Sequence, residues 1–130
     1  MELTEAPRGD RPFIESYGPG GFRIGGVRWT GPVLILTDRV VAWEHGGGTP
    51  LDAAALAAAF AGESMELLIL GLGAGPAAVS AAVPPAVREA LRDAGLALEA
   101  MDTGAACRTY NLLAGEGRAV GAALIALPAQ

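Results

Sequence analysis

Short apolar runs separated by glycine and proline dominate the first third of the chain. Their apolar and polar side chains mostly alternate, a pattern typical of half-buried strands. Gly25-Gly26 lies between two such runs, and glycine pairs of this kind favour tight hairpin turns. The pattern therefore predicts a mainly β N-terminal third. Its strands are predicted at residues 13–17, 22–24, 27–29, 33–36 and 40–43.

The rest of the chain alternates helical and strand-like patterns. Thr49, Pro50 and Asp52 suit a helix start, with Thr49 as the cap, Pro50 at the first helical position and Asp52 as a capping acid. Further helices are predicted between Pro85 and Gly95 and over 102–115, and buried strands at 66–70, 97–101 and 119–127. A strand–helix–strand–helix–strand order predicts parallel pairing with right-handed crossovers.

Composition agrees with one ordered α/β domain. The 130 residues match the commonest domain size, and 52% are hydrophobic against 18% charged, which argues against disorder. Aromatic residues are only 5%, so we expect a core of small and aliphatic side chains. We predict a polar tail over residues 1–11 and a single α/β domain over 12–130.

Charge and apolar run length exclude two classes of partner. Nine arginines and no lysine stand against fourteen acids, and a net charge of −5 makes nucleic-acid binding unfavourable. The longest apolar runs, 53–61 and 119–127, are about half of the ~18 residues that cross a bilayer. The acidic first ten residues do not resemble a secretory signal. With a single cysteine, Cys107, we expect a cytoplasmic protein that does not span a membrane.

The loop after the strand at 66–70 is rich in glycine, with Gly71, Gly73 and Gly75. A dinucleotide fingerprint requires a G-x-G-x-x-G spacing, but its third glycine position holds Pro76, and the expected downstream acid is missing. A tight strand-to-helix turn is the structural interpretation. Binding of an anion or small ligand by the loop amides is the functional one.

The segment 101–111 is the most polar stretch of the second half. Asp102 or Thr103 is placed to cap a helix, and Cys107 next to Arg108 is a candidate for a lowered thiol pKa. Nucleophilic chemistry needs a base, and nothing in the sequence brings the only histidine, His45, to the thiol. We therefore favour a buried, structural Cys107.

Two neighbouring residues of this helix, Tyr110 and Asn111, are expected to tie it to an adjacent loop rather than to react. The helix start and the glycine loop both follow strand ends, so they are expected to form the mouth of any ligand site. That candidate ligand or anion site consists of Gly71, Gly73, Gly75, Asp102, Thr103, Cys107 and Arg108.

His45 and Cys107 are the only histidine and the only cysteine of the sequence. One histidine and one cysteine are too few for a zinc centre, so we expect no metal site and no cofactor. Trp29 and Trp43 each follow a β run. Packing in the core or at its rim is the default for them, and contact with a protein partner is the alternative.

Three segments resemble a known family of small domains of unknown function, which includes mitochondrial respiratory complex I assembly factor 3 and an adipogenesis-associated domain protein. The first runs through 17–24, 31–36 and Trp43, the second covers 68–73, and the third, most distinctive, covers 101–113. The resemblance covers about residues 12–127 in matching order.

The resemblance implies a three-layer α/β fold around a central mixed five-stranded sheet, with one antiparallel strand and additional N-terminal β structure. It also implies a non-catalytic assembly or interaction factor, related to respiratory complex I or membrane-protein biogenesis, with a protein partner. The absence of a mitochondrial presequence suits a bacterial member. The alternative, a small-ligand or anion-binding protein or an unrecognised enzyme, would use the loop 71–75 and the helix start 102–108.

Overall fold

A computed structural model of the protein describes residues 11–44, 46 and 48–128. Eight strands and four helices follow one another within them. They are β1 (Ile14–Gly18), β2 (Gly21–Ile24), β3 (Val27–Thr30), β4 (Val33–Leu36), β5 (Arg39–Ala42), α1 (Ala53–Ala59), β6 (Leu67–Gly71), α2 (Gly75–Ala82), α3 (Pro85–Asp93), β7 (Leu98–Met101), α4 (Thr103–Gly115) and β8 (Val120–Leu124).

The first three strands form a separate antiparallel sheet in the order β1-β2-β3. Gly25 and Gly26 connect β2 to β3 with φ values of 58° and 81°, a left-handed conformation that favours glycine at both positions. The predicted hairpin turn is thereby confirmed, and so is the additional N-terminal β structure.

The other five strands form a mixed sheet in the order β5-β4-β8-β6-β7. The β6–β7 and β6–β8 pairs are parallel, whereas β4 pairs antiparallel with both β5 and β8. Strand β4 alone therefore runs against the other four strands of this sheet. The expected mixed sheet is confirmed, and the three parallel strands are those that the strand–helix alternation predicted.

The two faces of the five-stranded sheet bury different layers. Successive residues alternate between them: Val33 and Ile35 pack with α4 and the three-stranded sheet, whereas Leu34 and Leu36 pack with α1 and α3. The middle strand β8 is buried along its whole length. The result is a three-layer α/β fold in which α4 and the small sheet share one outer layer.

Helix α1 begins later than the sequence predicted. Asp52, not Thr49, is its N-cap, and the Asp52 carboxylate accepts a hydrogen bond from Ala55 N. Leu51 is buried in the core, and its N–H donates to Ala82 O at 2.9 Å, which holds this segment in a non-helical path. The capping prediction was therefore wrong by three residues.

Helix α2 was not among the predicted helices, although the glycine loop before it was interpreted as a strand-to-helix turn. It starts at Gly75-Pro76, and Ala82 is its only buried residue. The helix therefore has no apolar face, and its sequence shows no helical repeat of apolar residues. The last strand is shorter than predicted and ends at Leu124, although Leu127 forms an isolated bridge with Pro19.

Two predictions fall outside the described residues: the polar tail, apart from Arg11, and the position of His45. Among the helices of the described part of the chain, none has the length and apolar character needed to cross a membrane.

Candidate functional site

The two predicted loops meet at the carboxyl ends of the parallel strands. Gly71 at the end of β6 lies beside Met101 of β7 and Leu124 of β8. The loops that follow are joined directly, since Gly73 N donates to Thr103 Oγ1 and Thr103 N donates to Gly73 O, both at 2.9 Å. The structure therefore brings Gly73 and Thr103 together, as strand order predicted.

Polar groups at this junction are largely used by the protein itself. The Thr103 hydroxyl is fully buried and donates to Ile125 O at 2.7 Å. Ile125 N in turn donates to Gly71 O at 2.8 Å, and Leu72 N donates to Met101 O at 3.0 Å. These bonds lock three strand ends together, and they occupy the N–H groups of Leu72 and Gly73 that an anion would need.

Close packing explains the first glycine of the loop. A Cβ on Gly71 would lie 2.9 Å from both Ala106 Cβ and Leu124 Cδ2. Only glycine allows α4 to pack this closely on the strand, which supports the structural interpretation of that position.

An open cleft of about 300 Å³ lies beside the start of α4. Gly75, Pro76, Ser80 and Asp102 contribute to its wall. The Asp102 carboxylate caps α4 by accepting from Ala105 N at 2.9 Å. An acidic residue in the lining disfavours a bound anion, while the cap itself accounts for the polar residue at this position.

Cys107 is fully buried in the core between α4 and the small sheet. Burial raises the pKa of its thiol to about 12, because desolvation outweighs the opposing charge of Arg108. The expectation of a buried cysteine is confirmed, and the hypothesis of a lowered pKa is wrong. A thiol with this pKa is protonated at neutral pH and is a poor nucleophile.

Helix α4 holds strand β1 through side chains 91 to 98 residues away in sequence. The Asn111 amide brackets Ile14: Asn111 Nδ2 donates to Ile14 O at 2.8 Å, and Ile14 N donates to Asn111 Oδ1 at 2.9 Å. Tyr110 Oη donates to Pro12 O at 2.9 Å. Both residues thus tie the helix to a neighbouring segment, as predicted, and that segment includes a strand.

Arg108 points to the same strand rather than to the glycine loop. Its Nη1 donates to Tyr17 Oη at 3.0 Å. A Cβ on Gly104 would approach the same oxygen to 2.7 Å, so a larger residue there would have to displace the tyrosine ring where it crosses α4. Of the seven candidate ligand residues, Arg108 therefore lies on the β1 side of the helix, and Gly75 and Asp102 line the cleft.

A known protein family matches most of this chain. A sequence profile of a family described as "Protein of unknown function (DUF498/DUF598)" matches residues 14–125. The chain belongs to this family. The match spans every strand and helix from β1 to β8.

Two protein sequences illustrate the similarity of this DUF498/DUF598 chain to others. An uncharacterized protein of Rhodobacter capsulatus is 39% identical over 88% of the chain and 85% of its own length. NADH dehydrogenase [ubiquinone] 1 alpha subcomplex assembly factor 3 of Mus musculus is 35% identical over 91% of the chain. This chain spans only 62% of the length of the mouse protein.

A solved structure of similar fold is the Rpa2829 protein from Rhodopseudomonas palustris. It has a TM-score of 0.72 and 38% identity to this DUF498/DUF598 chain, covering 98% of this chain and 91% of the other. The predicted family membership is therefore confirmed in both sequence and fold.

Two of the three segments that carried the resemblance to the DUF498/DUF598 family, the first and the third, contact each other. Tyr17 belongs to the first segment, and Gly104 and Arg108, which contact it, belong to the third. Asn111 extends the same contact to Ile14, three residues before Tyr17 on β1. These positions build the interface between α4 and the small sheet, so the family's distinctive segment has a structural role in this chain.

The two tryptophans differ in accessibility. Trp43 is 9% exposed and packs in the core on the α1 side, so little of its surface faces solvent. Trp29 is partly exposed on β3, and its Nε1 is buried without a hydrogen-bond partner in the described part of the chain. Core packing, the default expectation, holds for Trp43.

A second cleft, of about 480 Å³, lies between β1, the β2–β3 turn and the β4–β5 turn, and was not predicted. Its charged side chains already have partners. Arg39 binds Asp38 at 2.7 Å, and Arg11 Nη1 donates to Thr37 O at 3.4 Å. Glu15 accepts from Gly26 N. No local motif joins these residues in the sequence, because the start of β1 and two separate turns bring them together.

Ligands for a metal ion are not grouped in the described residues, where no cluster of three histidine, cysteine or acidic side chains occurs.

Proposed function

We propose that this protein is a non-catalytic binding factor that assists the assembly of a membrane-bound NADH dehydrogenase. One observation carries the proposal: 35% identity to a protein named as an assembly factor of NADH dehydrogenase, over 91% of this chain. The chain spans 62% of that relative, so the proposal concerns the shared domain and the protein contacts that it makes.

The geometry of the predicted site supports binding over catalysis. The thiol of Cys107 is buried and protonated at neutral pH. Gly73 and Thr103 form hydrogen bonds with each other, and the Thr103 hydroxyl also donates to Ile125 O. Such a site contributes to the stability of the fold, which leaves the outer strands and helix faces to contact a partner. We also propose the cytoplasm as its compartment, since a reducing environment suits a lone free thiol.

Deletion in the native host tests the proposal. We expect loss of the gene to lower the amount of fully assembled NADH dehydrogenase on native gels, with accumulation of partial complexes. The affinity-tagged chain should recover subunits of the enzyme from membrane extracts at several salt concentrations.

Complementation with two variants separates binding from thiol chemistry. C107S should restore assembly, because the proposed role does not use a thiolate, whereas a destabilised N111A should not. An unchanged amount of assembled enzyme in the deletion strain, together with no recovered subunit, would refute the proposed function.

A further inference from the structure

Strand β3 forms an exposed edge of the small sheet. In the order β1-β2-β3 it pairs with β2 on one side only. Val27 on this strand is 54% exposed, one of only two large hydrophobic residues so exposed in the described part of the chain. Exposed edges with apolar side chains are templates for pairing with another strand.

The hydrogen-bonding phase of the hairpin shows which backbone groups are free. Gly31 N donates to Gly20 O at 2.8 Å, which makes this pair a hydrogen-bonded one. Antiparallel pairs alternate, so the pairs Phe22–Trp29 and Ile24–Val27 also exchange hydrogen bonds, whereas the pair Arg23–Arg28 does not. The N–H and C=O groups of Arg28 and Thr30 therefore point away from β2, along the free edge.

Two arginines face each other next to this edge. Arg23 and Arg28 are directly paired across β2 and β3, and both are exposed. Like charges directly opposite each other destabilise a sheet. Among the described residues neither forms an ion pair, and Arg23 only donates to Gly26 O at 3.2 Å. In a chain with a net charge of −5, these two arginines place two positive charges side by side, next to a turn where the Glu15 carboxylate accepts from Gly26 N.

The five-stranded sheet also has two edges, but neither combines these features. On β5, Arg39 is already neutralised by Asp38 and Glu63. On β7, the exposed side chain is the acidic Glu99. Only β3 joins free backbone groups, an exposed apolar residue and unpaired positive charge within the described residues.

We propose that β3 accepts an extended acidic segment of a partner protein as an added strand, an inference that rests on the proposed binding function. The backbone of the segment would pair with Arg28 and Thr30. On the solvent face, acidic side chains would lie beside Arg28, and Arg23 would lie one strand further away on β2. On the other face, apolar side chains would cover Val27 and Trp29. The partner segment is thus defined by alternating acidic and apolar residues.

Selection from a displayed random-peptide library on the immobilised chain tests the inference. Selected peptides should carry glutamate or aspartate at alternate positions, with apolar residues between them. Binding of a selected peptide should slow amide exchange at Arg28 and Thr30, measured by NMR, and should weaken as salt is raised.

Charge reversal and backbone blocking provide the controls. R23E/R28E should weaken binding about tenfold or more, whereas R88E/R92E, which reverses two arginines one turn apart on α3, should not. Methylation of alternate peptide nitrogens on the pairing edge should abolish binding to the wild-type chain. This last test remains decisive even if R23E/R28E proves unstable.

Several results would overturn the inference. They are selected peptides without alternate acids, equal affinity for R23E/R28E and wild type, methylated peptides that still bind, or a dimer of this chain that R23E/R28E disrupts. If R23E/R28E still recovers NADH dehydrogenase subunits from membrane extracts, the edge is refuted but the proposed function stands. If the wild type recovers none, the proposed function fails on its own test.

Discussion

Replacing Asn111 with alanine tests how α4 holds the small sheet. The Asn111 amide satisfies both backbone groups of Ile14, a residue with no exposed surface. Alanine leaves a buried N–H and a buried C=O without partners, and each such group costs about 1–3 kcal/mol. We therefore expect N111A to lose about 2–6 kcal/mol of unfolding free energy. Since whole domains are stable by about 5–15 kcal/mol, the variant should be close to unfolding.

Urea denaturation followed by circular dichroism measures this loss, and L112A is the matched control. Leu112 is the next residue of the same helix but is 59% exposed, so its truncation should change the free energy by less than about 0.5 kcal/mol. N111D retains the acceptor for Ile14 N but loses the donor to Ile14 O. It should regain stability as pH falls, because a protonated carboxyl group donates again. If N111A and L112A unfold at the same urea concentration, the bracketing argument is wrong.

Three further predictions concern the thiol, the tyrosine contact and the strand-end junction. The pKa of Cys107 is raised from 9.0 to about 12, so the folded state keeps a proton that the unfolded chain loses. The contribution of Cys107 to the free energy of unfolding should therefore be fully present below pH 9 and should be lost between pH 9 and about 12. A thiol reagent should label the native protein only as fast as the protein unfolds. G104A should cost about 1–3 kcal/mol because its Cβ meets Tyr17 Oη, and Y17F should relieve part of that loss in a double-mutant cycle; strictly additive losses would contradict the contact. Phosphate and nucleotides should leave the melting temperature unchanged, because Gly73 N is already bonded and the acidic Asp102 is among the residues that line the cleft; a concentration-dependent rise would instead support the ligand-binding alternative.

Local signals predicted the strands well and the helix starts less well. Alternation and the Gly25-Gly26 turn are encoded within a few residues, so the hairpin of β2 and β3 was predicted within one residue at each end. Around α1, Thr49 and Asp52 both resemble caps. The choice between them depends on the burial of Leu51 and its bond to Ala82, which lies 31 positions away. No short-range pattern contains that information.

In the candidate site, too, the order of the strands predicted some contacts, whereas other contacts depend on residues still further apart in the sequence. The rule that parallel strand ends share one edge predicted the contact between Gly73 and Thr103. The partners of Arg108 and Asn111 lie on β1, more than 90 residues earlier, and only the packing of the small sheet on α4 brings them together. The pairing of Arg23 with Arg28 could have been predicted from the sequence, because a two-residue turn fixes which residues of β2 and β3 face each other.

The position of β8 has a consequence for synthesis of the protein. This strand is made after the other seven, yet it occupies the middle of the five-stranded sheet, between β4 and β6. While the ribosome is still translating α4, the early pair of β4 and β5 and the later pair of β6 and β7 have no common neighbour. The sheet is therefore completed only when Val120–Leu124 has left the exit tunnel, and a chain released before that point exposes two unjoined apolar halves.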